Sequence, residues 1–199
     1  MKVLLYDNPD KVTATELQHD LLLLPYWRKE QVLSYRNLVD KVQCAKAYIL
    51  LQQCLTEQYG IQNIPPFGYG QYGKPFLPQV HFNLSHCKKG VMCVVDDNPV
   101  GCDIEVIPNK IDTELVVACF STDEQASIMN AGSPEIEFAR LWTAKEAVLK
   151  LTGTGLTDDL PYLLTSSWVK DITYNTVVSE ANGYVYTIAK NTISTSKNH

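Results

Sequence analysis

The sequence predicts an α+β fold of two similar α/β lobes, because one order of elements occurs twice along the chain. A strand, a group of helices and a pair of strands fill residues 1–98, and the same order recurs over residues 99–199. Of the 199 residues, 45% are hydrophobic and 20% are charged, which is typical of globular proteins. We therefore expect an N-terminal and a C-terminal lobe related by pseudo-twofold symmetry.

The first lobe begins with an apolar run at Lys2–Tyr6, which predicts a strand. A helix is predicted at Thr15–Leu24, and helical periodicity resumes from Arg28. The broad apolar face of Leu38–Tyr59 predicts a longer helix, and Gly60 is the type of residue that ends one.

The second part of this lobe is predicted to be a loop followed by strands. Glycines and prolines dominate Pro65–Pro75, but they lack the order of a nucleotide-binding fingerprint. Val80–His86 alternates as a strand, and Val91–Val95 is a continuous apolar strand. The turn residues at 96–99 predict a hairpin in which Val100–Ile107 is the second arm.

The second lobe continues with an apolar segment at Leu115–Phe120, either helical or irregular. Ser121–Glu124 has the form of a capping box for the next helix. Ser133 and the proline after it begin a helix that ends near Leu151. Trp168–Thr173 and Gly183–Ile188 are the predicted closing strands, separated by turns at Asn175 and at Asn182–Gly183.

Composition argues against several classes of protein. The net charge is −5 with no basic cluster, so we expect no nucleic-acid partner. The six cysteines form no C-x-x-C pair and lie in apolar surroundings, which indicates reduced core residues in a cytoplasmic protein. No stretch is long and apolar enough to predict a membrane span, and we expect a monomer. The polar tail at Asn191–His199 is expected to fray.

Two carboxylates are predicted to lie side by side on one strand. Asp103 and Glu105 are two residues apart, so alternation places them on one face while Cys102 and Ile104 point the other way. Adjacent carboxylates repel unless a proton, a cation or a metal neutralises them. The simpler interpretation is a solvated strand face.

A third carboxylate lies on a predicted helix. Glu146 and Lys150 are four residues apart and share a helix face, which on its own indicates an ordinary surface pair. If this helix packs beside the acidic strand, three carboxylates converge next to a lysine. Oxygen ligands suit Mg²⁺, which is often shared between carboxylates and substrate phosphates, and Lys150 would supply a point charge for phosphate oxygens.

Three segments in order resemble one family. They are Gly73-Lys74-Pro75 with Asn83-Leu84-Ser85-His86, then Gly101-x-Asp103-x-Glu105, then Trp142-x-x-Lys145-Glu146-x-x-x-Lys150. This set is similar to the 4′-phosphopantetheinyl transferases of the two-lobed, surfactin-synthetase-activating type, over roughly Arg28 to Leu156. The resemblance implies that fold, with an active site between the lobes.

The resemblance also implies a reaction: the phosphopantetheine arm of coenzyme A is transferred to a serine of an apo acyl, peptidyl or aryl carrier protein, leaving adenosine 3′,5′-bisphosphate. Fatty-acid or secondary-metabolite biosynthesis would be served. The residues matched are Asp103, Glu105 and Glu146 as Mg²⁺ ligands, Lys150 at the phosphates, Glu124 as the base for the serine, and Lys74, Ser85, His86 and Arg28 as coenzyme A contacts.

The sequence leaves several alternatives open. Glu124 is as well explained as a helix cap as by a role as base. Gln43 stands near the position where family members often carry an arginine for the nucleotide end, so the 3′-phosphate anchor is not defined. The competing functions are a Mg²⁺-dependent phosphohydrolase and a non-catalytic module that binds coenzyme A or a carrier protein. The absence of a Gly-x-Ser-x-Gly elbow around Ser85 argues against a serine hydrolase.

Overall fold

The computed structural model describes residues 1–155 and 159–192 as a mixed α/β protein. Leu156 and most of the predicted polar tail, residues 193–199, lie outside the described residues. The strands are β1 (Lys2–Asp7), β2 (Gly68–Tyr69), β3 (Pro75–Phe76), β4 (His81–Cys87), β5 (Gly90–Asp96), β6 (Val100–Val106), β7 (Ile172–Ser179) and β8 (Tyr184–Asn191). The α-helices are α1 (Ala14–Leu22), α2 (Tyr26–Ser34), α3 (Leu38–Tyr59), α4 (Thr113–Cys119), α5 (Thr122–Asn130) and α6 (Pro134–Thr152).

The main strands form two three-stranded antiparallel sheets with orders β1-β5-β4 and β6-β8-β7. In each sheet the strand that comes first in the chain pairs with the strand that comes last. The short strands β2 and β3 form a separate two-stranded sheet within the predicted loop.

The predicted hairpin between β5 and β6 is wrong. The hairpin is formed by β4 and β5, and β6 pairs with β8 in the other sheet. Polar turn residues at 96–99 allow a tight reversal as well as a crossing between sheets, so they did not determine the pairing. β5 is buried along nearly its whole length, because α3 covers its sheet on one side and the second sheet on the other.

The two sheets meet through a shared apolar layer. It contains residues of both sheets: Cys87, Met92, Val94, Val100, Cys102, Ile104 and Tyr184. Cys102 and Ile104 thus point into this layer, as the strand alternation predicted. All six cysteines are free thiols, and only Cys119 is not fully buried.

Local signals in the sequence explain most helix boundaries. Thr13 begins α1 with a complete capping box to Glu16, and Gly60 ends α3 in the left-handed region at φ 68°. The predicted box of Ser121 and Glu124 is present at the start of α5. Ser133 stands at the predicted N-cap of α6, but its side chain makes no capping hydrogen bond.

The closing strands begin later than predicted. Trp168 lies in a short 3₁₀ turn, Ser167–Val169, and β7 starts at Ile172 and continues through the expected turn at Asn175. The β-branched residues that follow Asn175 favour an extended chain, which outweighs the turn preference of a single asparagine. The turn at Gly183 is as predicted, with φ 74°.

The packing side of α6 is aromatic near its N-terminus. Trp142 stacks on Phe138 with ring centroids 6.3 Å apart, and Phe120 joins them. Trp142 is therefore a packing residue. Within the described residues, none of the helices combines the length and the hydropathy that crossing a membrane requires.

Candidate active site

Strand β6 and helix α6 pack closely because β6 carries a glycine at the point of contact. A methyl group at Gly101 would overlap the carbonyl oxygen of Ala147 and the backbone of Leu151. Gly101, Asp103 and Glu105 alternate onto one face of β6, so this contact directs that face towards α6. The predicted packing of the acidic strand against the Glu146 helix is confirmed.

Asp103 is the centre of a buried polar cluster. Only 5% of the residue is exposed, and its Oδ1 accepts hydrogen bonds from Ser85 Oγ at 2.7 Å and from Lys150 Nζ at 2.5 Å. Lys150 Nζ also donates to Ser85 Oγ at 3.0 Å. Burial lowers the pKa of Lys150, but the charge and hydrogen bond of Asp103 outweigh burial, and the net pKa is raised. Lys150 is therefore held as an ammonium ion against Asp103.

Glu105 and Glu146 are half-buried carboxyl groups in the same electrostatic neighbourhood. Burial raises the pKa of both, and the negative charge of Asp103 raises each further. Glu105 also raises the pKa of Glu146, so the three carboxylates act on one another. A cation among them would relieve this repulsion.

Within residues 1–155 and 159–192, no group of three or more His, Cys, Asp or Glu side chains is arranged so that it could hold a metal ion. Lys150 neutralises Asp103 instead. The chemistry of the donor set nevertheless fits Mg²⁺, since it consists of carboxylate oxygens whose charge is incompletely balanced. Metal binding by Asp103, Glu105 and Glu146 stays a prediction.

A pocket of about 360 Å³ adjoins this cluster. Glu146 and Lys150 of α6 line it, and so does the glycine-rich loop that carries Lys74. The remaining lining residues are Tyr72, Gly73, Pro75, Asn83, Leu84, Leu149, Gly153 and Gly155. The pocket is mostly apolar with two ammonium groups, which suits a ligand that combines phosphate with less polar parts.

Lys74 has a structural contact in addition to its place in the pocket. Its Nζ donates to the carbonyl oxygen of Leu151 at 3.1 Å, in the last turn of α6, and to that of Val100 at 3.4 Å. A cation at a helix C-terminus interacts favourably with the helix dipole. Burial lowers the pKa of Lys74.

Ser85 and His86 lie on opposite faces of β4, as the alternation predicted. Ser85 is buried against Asp103 and Lys150 and also accepts the Ile104 amide at 3.4 Å. His86 faces the other way and is exposed. Loss of hydration next to the surrounding protein lowers the pKa of His86, and the positive charge of Lys150 lowers this pKa further. The two side chains therefore have different surroundings.

Glu124 carries the predicted helix cap and an ion pair that was not predicted. Its Oε2 accepts the Ser121 amide at 2.9 Å and lies 2.9 Å from Nζ of Lys145. Lys145 is fully buried, and it also donates to the carbonyl oxygens of Leu160 and Pro161 at 2.7 and 3.0 Å. Both contacts made by the Glu124 carboxylate use one oxygen, so capping does not by itself occupy Oε1.

Arg28 and Gln43 lie inside the protein. Arg28 is 5% exposed and donates to Gln31 at 2.7 Å and to the Cys44 carbonyl at 3.0 Å, while its buried Nε has no hydrogen-bond partner among the described residues. Gln43 donates to the carbonyl oxygen of Cys87 at 2.8 Å. Neither residue lines the pocket, so contact between Arg28 and a ligand there would need this network to rearrange.

Two polar contributors to the site were missed from the sequence. Asn83 lines the pocket and accepts the Cys102 amide at 2.8 Å through its Oδ1, which joins β4 to the free edge of β6. Asn83 and Lys145 both stand in the motifs that carry the family resemblance, but no role was predicted for either. A buried asparagine two residues before Ser85 on the same strand face was a usable signal for the first, whereas nothing local identifies the partner of Lys145.

Comparison with known proteins gives a consistent result. Residues 99–191 match the family model of the 4′-phosphopantetheinyl transferase superfamily. The chain is 33% identical over 155 residues to the 4′-phosphopantetheinyl transferase psf-1 of Bacillus pumilus, covering 74% of this chain and 65% of that protein. It is 30% identical over 163 residues to the gsp transferase of Aneurinibacillus migulanus, covering 78% and 65%.

A shorter match links the chain to another bacterial transferase. It is 41% identical over 98 residues to the 4′-phosphopantetheinyl transferase AcpT of Escherichia coli strain K12, covering 45% of this chain and 50% of that protein. The chain thus spans less than two thirds of the length of each of these three relatives. The family match includes β6 and α6, which carry the acidic cluster, so the similarity of the chain to the 4′-phosphopantetheinyl transferase superfamily extends to the candidate site.

Proposed function

We propose that the protein transfers the 4′-phosphopantetheine arm of coenzyme A to a serine of an apo acyl or peptidyl carrier protein in a Mg²⁺-dependent reaction. One observation carries the proposal. Lys150 donates a hydrogen bond to the buried carboxylate of Asp103 and also lines a pocket, together with Glu146 and Lys74. A pocket with carboxylates for a cation and ammonium groups for phosphates suits a diphosphate substrate. The relatives named as 4′-phosphopantetheinyl transferases support the same activity.

Asp103, Glu105 and Glu146 are the residues that would hold Mg²⁺. When bound, the metal would supply charge neutralisation at the diphosphate oxygens, which is the main requirement of phosphoryl-type transfer. The carboxylates themselves must be ionised for this role, and the raised pKa values of Glu105 and Glu146 mean that this ionisation is completed at a higher pH than for exposed glutamates.

Lys150 and Lys74 bind the phosphates in this proposal. Asp103 holds Lys150 in its charged form beside the pocket, and Lys74 lines the same pocket. Ser85 positions Asp103 and Lys150 through its hydroxyl group, and His86 and Arg28 are proposed to contact the coenzyme.

The nucleophile is the hydroxyl of the carrier serine. Its oxygen forms a bond to the phosphorus that bears the pantetheine arm, and the bond from that phosphorus to the bridging oxygen of the diphosphate breaks. Adenosine 3′,5′-bisphosphate leaves. We propose that Oε1 of Glu124 accepts the serine proton while Oε2 keeps its contacts with Ser121 and Lys145.

The architecture that we propose is two lobes, 1–98 and 99–199, related by pseudo-twofold symmetry with the active site at their interface. The shared strand plan of the two main sheets supports it, as do the hydrogen bonds from β4 side chains to the free edge of β6. We also propose that the protein acts as a monomer in the cytoplasm, without nucleic-acid or membrane partners. The net charge of −5 has the wrong sign to steer an acidic carrier protein, so docking would depend on a local surface.

The test is to incubate the protein with coenzyme A, Mg²⁺ and an apo carrier protein and to weigh the carrier by mass spectrometry. We expect the carrier mass to increase by one phosphopantetheine group, and we expect chelation of the metal by EDTA to prevent the increase. Release of inorganic phosphate without this mass increase would favour the phosphohydrolase. Binding of coenzyme A without either product would favour a binding module. A panel of fatty-acid and secondary-metabolite carriers would identify the pathway.

A further inference from the structure

The cluster around Asp103 already contains a cation, and that cation is part of the protein. Lys150 Nζ lies 2.5 Å from Asp103 Oδ1, and both atoms also contact Ser85 Oγ, at 3.0 and 2.7 Å. These three groups form a closed triangle of hydrogen bonds. Because Asp103 is only 5% exposed, an unpaired charge there would be strongly unfavourable, and Lys150 supplies the balancing charge.

This arrangement works against a metal ion that arrives alone. A divalent cation at Asp103 would meet the ammonium of Lys150 at short range, in a partly buried site where charges are poorly screened. Lys150 cannot retreat into the protein without losing its counter-ion. It does, however, line the pocket beside Asp103, together with Glu146 and Lys74. A diphosphate in that pocket would give Lys150 a new anionic partner.

We propose that Lys150 is the resident counter-ion of the carboxylate site and that it transfers from Asp103 to the coenzyme diphosphate when coenzyme and metal bind together. This inference rests on the proposed function. Its consequence is positive coupling: coenzyme A removes the ammonium from Asp103 and strengthens metal binding, and by thermodynamic linkage the metal strengthens coenzyme A binding by the same factor.

The two hydrogen bonds to Asp103 both go to Oδ1, which adds a second part to the inference. Within the described part of the chain, Oδ2 receives neither of the contacts made by Ser85 and Lys150. Ser85 can therefore keep its hydrogen bond to Oδ1 when Lys150 leaves, and the carboxylate does not have to rotate. Ser85 is a positioning residue in this scheme, since it holds Asp103 in one orientation throughout.

The experiment measures Mn²⁺ binding, with no carrier protein present and hence no turnover. Mn²⁺ takes the same oxygen ligands as Mg²⁺ and is detected by electron paramagnetic resonance of the free ion. Affinity is measured with and without saturating coenzyme A, for the wild type, for Lys150→Met and for Lys110→Met. Lys110 is an exposed lysine outside the cluster and serves as the matched control.

We expect coenzyme A to tighten Mn²⁺ binding to the wild type and to Lys110→Met by a factor within the roughly 5–150-fold range of allosteric coupling. Lys150→Met should bind Mn²⁺ alone more tightly than the wild type and should lose most of the coupling. Ser85→Ala keeps the positive charge of Lys150 but removes the two hydrogen bonds that the Ser85 hydroxyl makes with Asp103 and Lys150. Its Mn²⁺ affinity without coenzyme should therefore lie between those of the wild type and Lys150→Met. This second variant also serves if Lys150→Met does not fold, as judged by circular dichroism.

The outcomes separate this inference from the proposed function. If Mn²⁺ and coenzyme A both bind to the wild type without affecting one another, the counter-ion role is wrong and the transferase proposal stands. Tighter Mn²⁺ binding by the wild type than by Lys150→Met in the absence of coenzyme would also overturn it. If neither ligand binds to the folded wild type, both proposals fail.

Discussion

The side chain of Glu124 makes the helix cap, and its proposed role as base is compatible with that contact. Its capping contact and its ion pair with Lys145 share Oε2, so a catalytic role for the other oxygen is compatible with both. The carboxylate is held by the backbone of Ser121 and by a fully buried lysine, which restricts its rotation. A general base benefits from such restriction, because the proton acceptor stays in one place.

Glu124→Gln separates the two roles. Glutamine preserves the shape and can serve in a capping box, but it cannot take up the serine proton. We expect kcat to fall about 10²–10⁴-fold, the usual contribution of a general base, with little change in Tm. Glu124→Ala is the comparison that loses the cap as well and should be less stable. Full activity of Glu124→Gln in a carrier-modification assay would assign the residue to capping alone.

We predict that the ionised carboxylate of Glu146 lowers the stability of the folded protein. Burial raises its pKa above the usual value of 4.5, so the folded state disfavours the ionised form. The stability linked to this group is fully present below the unfolded pKa and is lost as the pH rises through the folded pKa. Glu146→Gln removes the ionisation and should therefore be more stable than the wild type at neutral pH.

Thermal unfolding in EDTA measures this effect. At pH 7.5 we expect Glu146→Gln to have the higher Tm, by an amount on the order of the 2–4 °C that 1 kcal/mol represents in a chain of this size. The difference should shrink as the pH is lowered towards the usual glutamate pKa, since both proteins are then uncharged at this position. A lower Tm for the variant at pH 7.5 would contradict the account.

At the scale of elements, the distance between β6 and α6 decides whether the site forms. A Cβ at Gly101 would collide with the backbone of Ala147 and Leu151, and backbone cannot move aside as a flexible side chain can. We expect Gly101→Ala to lower the free energy of unfolding by about 1–3 kcal/mol, as overpacking does, and to reduce transfer activity by displacing Glu146 and Lys150. Chemical denaturation and the carrier assay measure the two effects.

Gly132→Ala is the matched control for that prediction. A Cβ there meets no atom within 4 Å, and its backbone φ is not in the left-handed region. We expect it to leave both stability and activity near the wild-type values. Equal behaviour of the two variants would mean that the close approach at Gly101 is unimportant.

Pairing between elements was the part that the sequence predicted least well. The periodicity of β6 correctly placed Asp103 and Glu105 on the face opposite Cys102 and Ile104, since alternation is a local property. The predicted partner of β6 was wrong, because the residues of β8 that pair with β6 are 78 to 90 residues away in the sequence and no local pattern encodes that contact. For the same reason the triangle of Ser85, Asp103 and Lys150 was not predicted, although all three residues were candidates.

At the scale of the whole molecule, the two main sheets share one apolar layer. Met92 and Val94 come from one sheet, and Ile104 and Tyr184 come from the other. Asn83 and Ser85 add hydrogen bonds from β4 to the backbone of β6. The site therefore depends on both sheets being folded and in contact.

This shared layer predicts one cooperative unfolding transition. Differential scanning calorimetry should give a single peak whose calorimetric and van't Hoff enthalpies agree, because neither sheet can lose the other without exposing the layer. Two resolved transitions would show that the halves fold independently. The repeated order of elements concerns only the topology of the two halves. The calorimetric measurement tests whether the two halves unfold together.

The central claim is that Asp103 and its neighbours act on the diphosphate of coenzyme A, and Asp103→Asn tests it most directly. Asparagine keeps the size of the side chain and can accept the hydrogen bond from Ser85, but it removes the charge that pairs with Lys150. The measurement is the mass of an apo carrier protein after incubation with coenzyme A, Mg²⁺ and the folded variant. We predict that the carrier stays in its apo form while the wild type converts it. Conversion by Asp103→Asn at the wild-type rate would contradict the account.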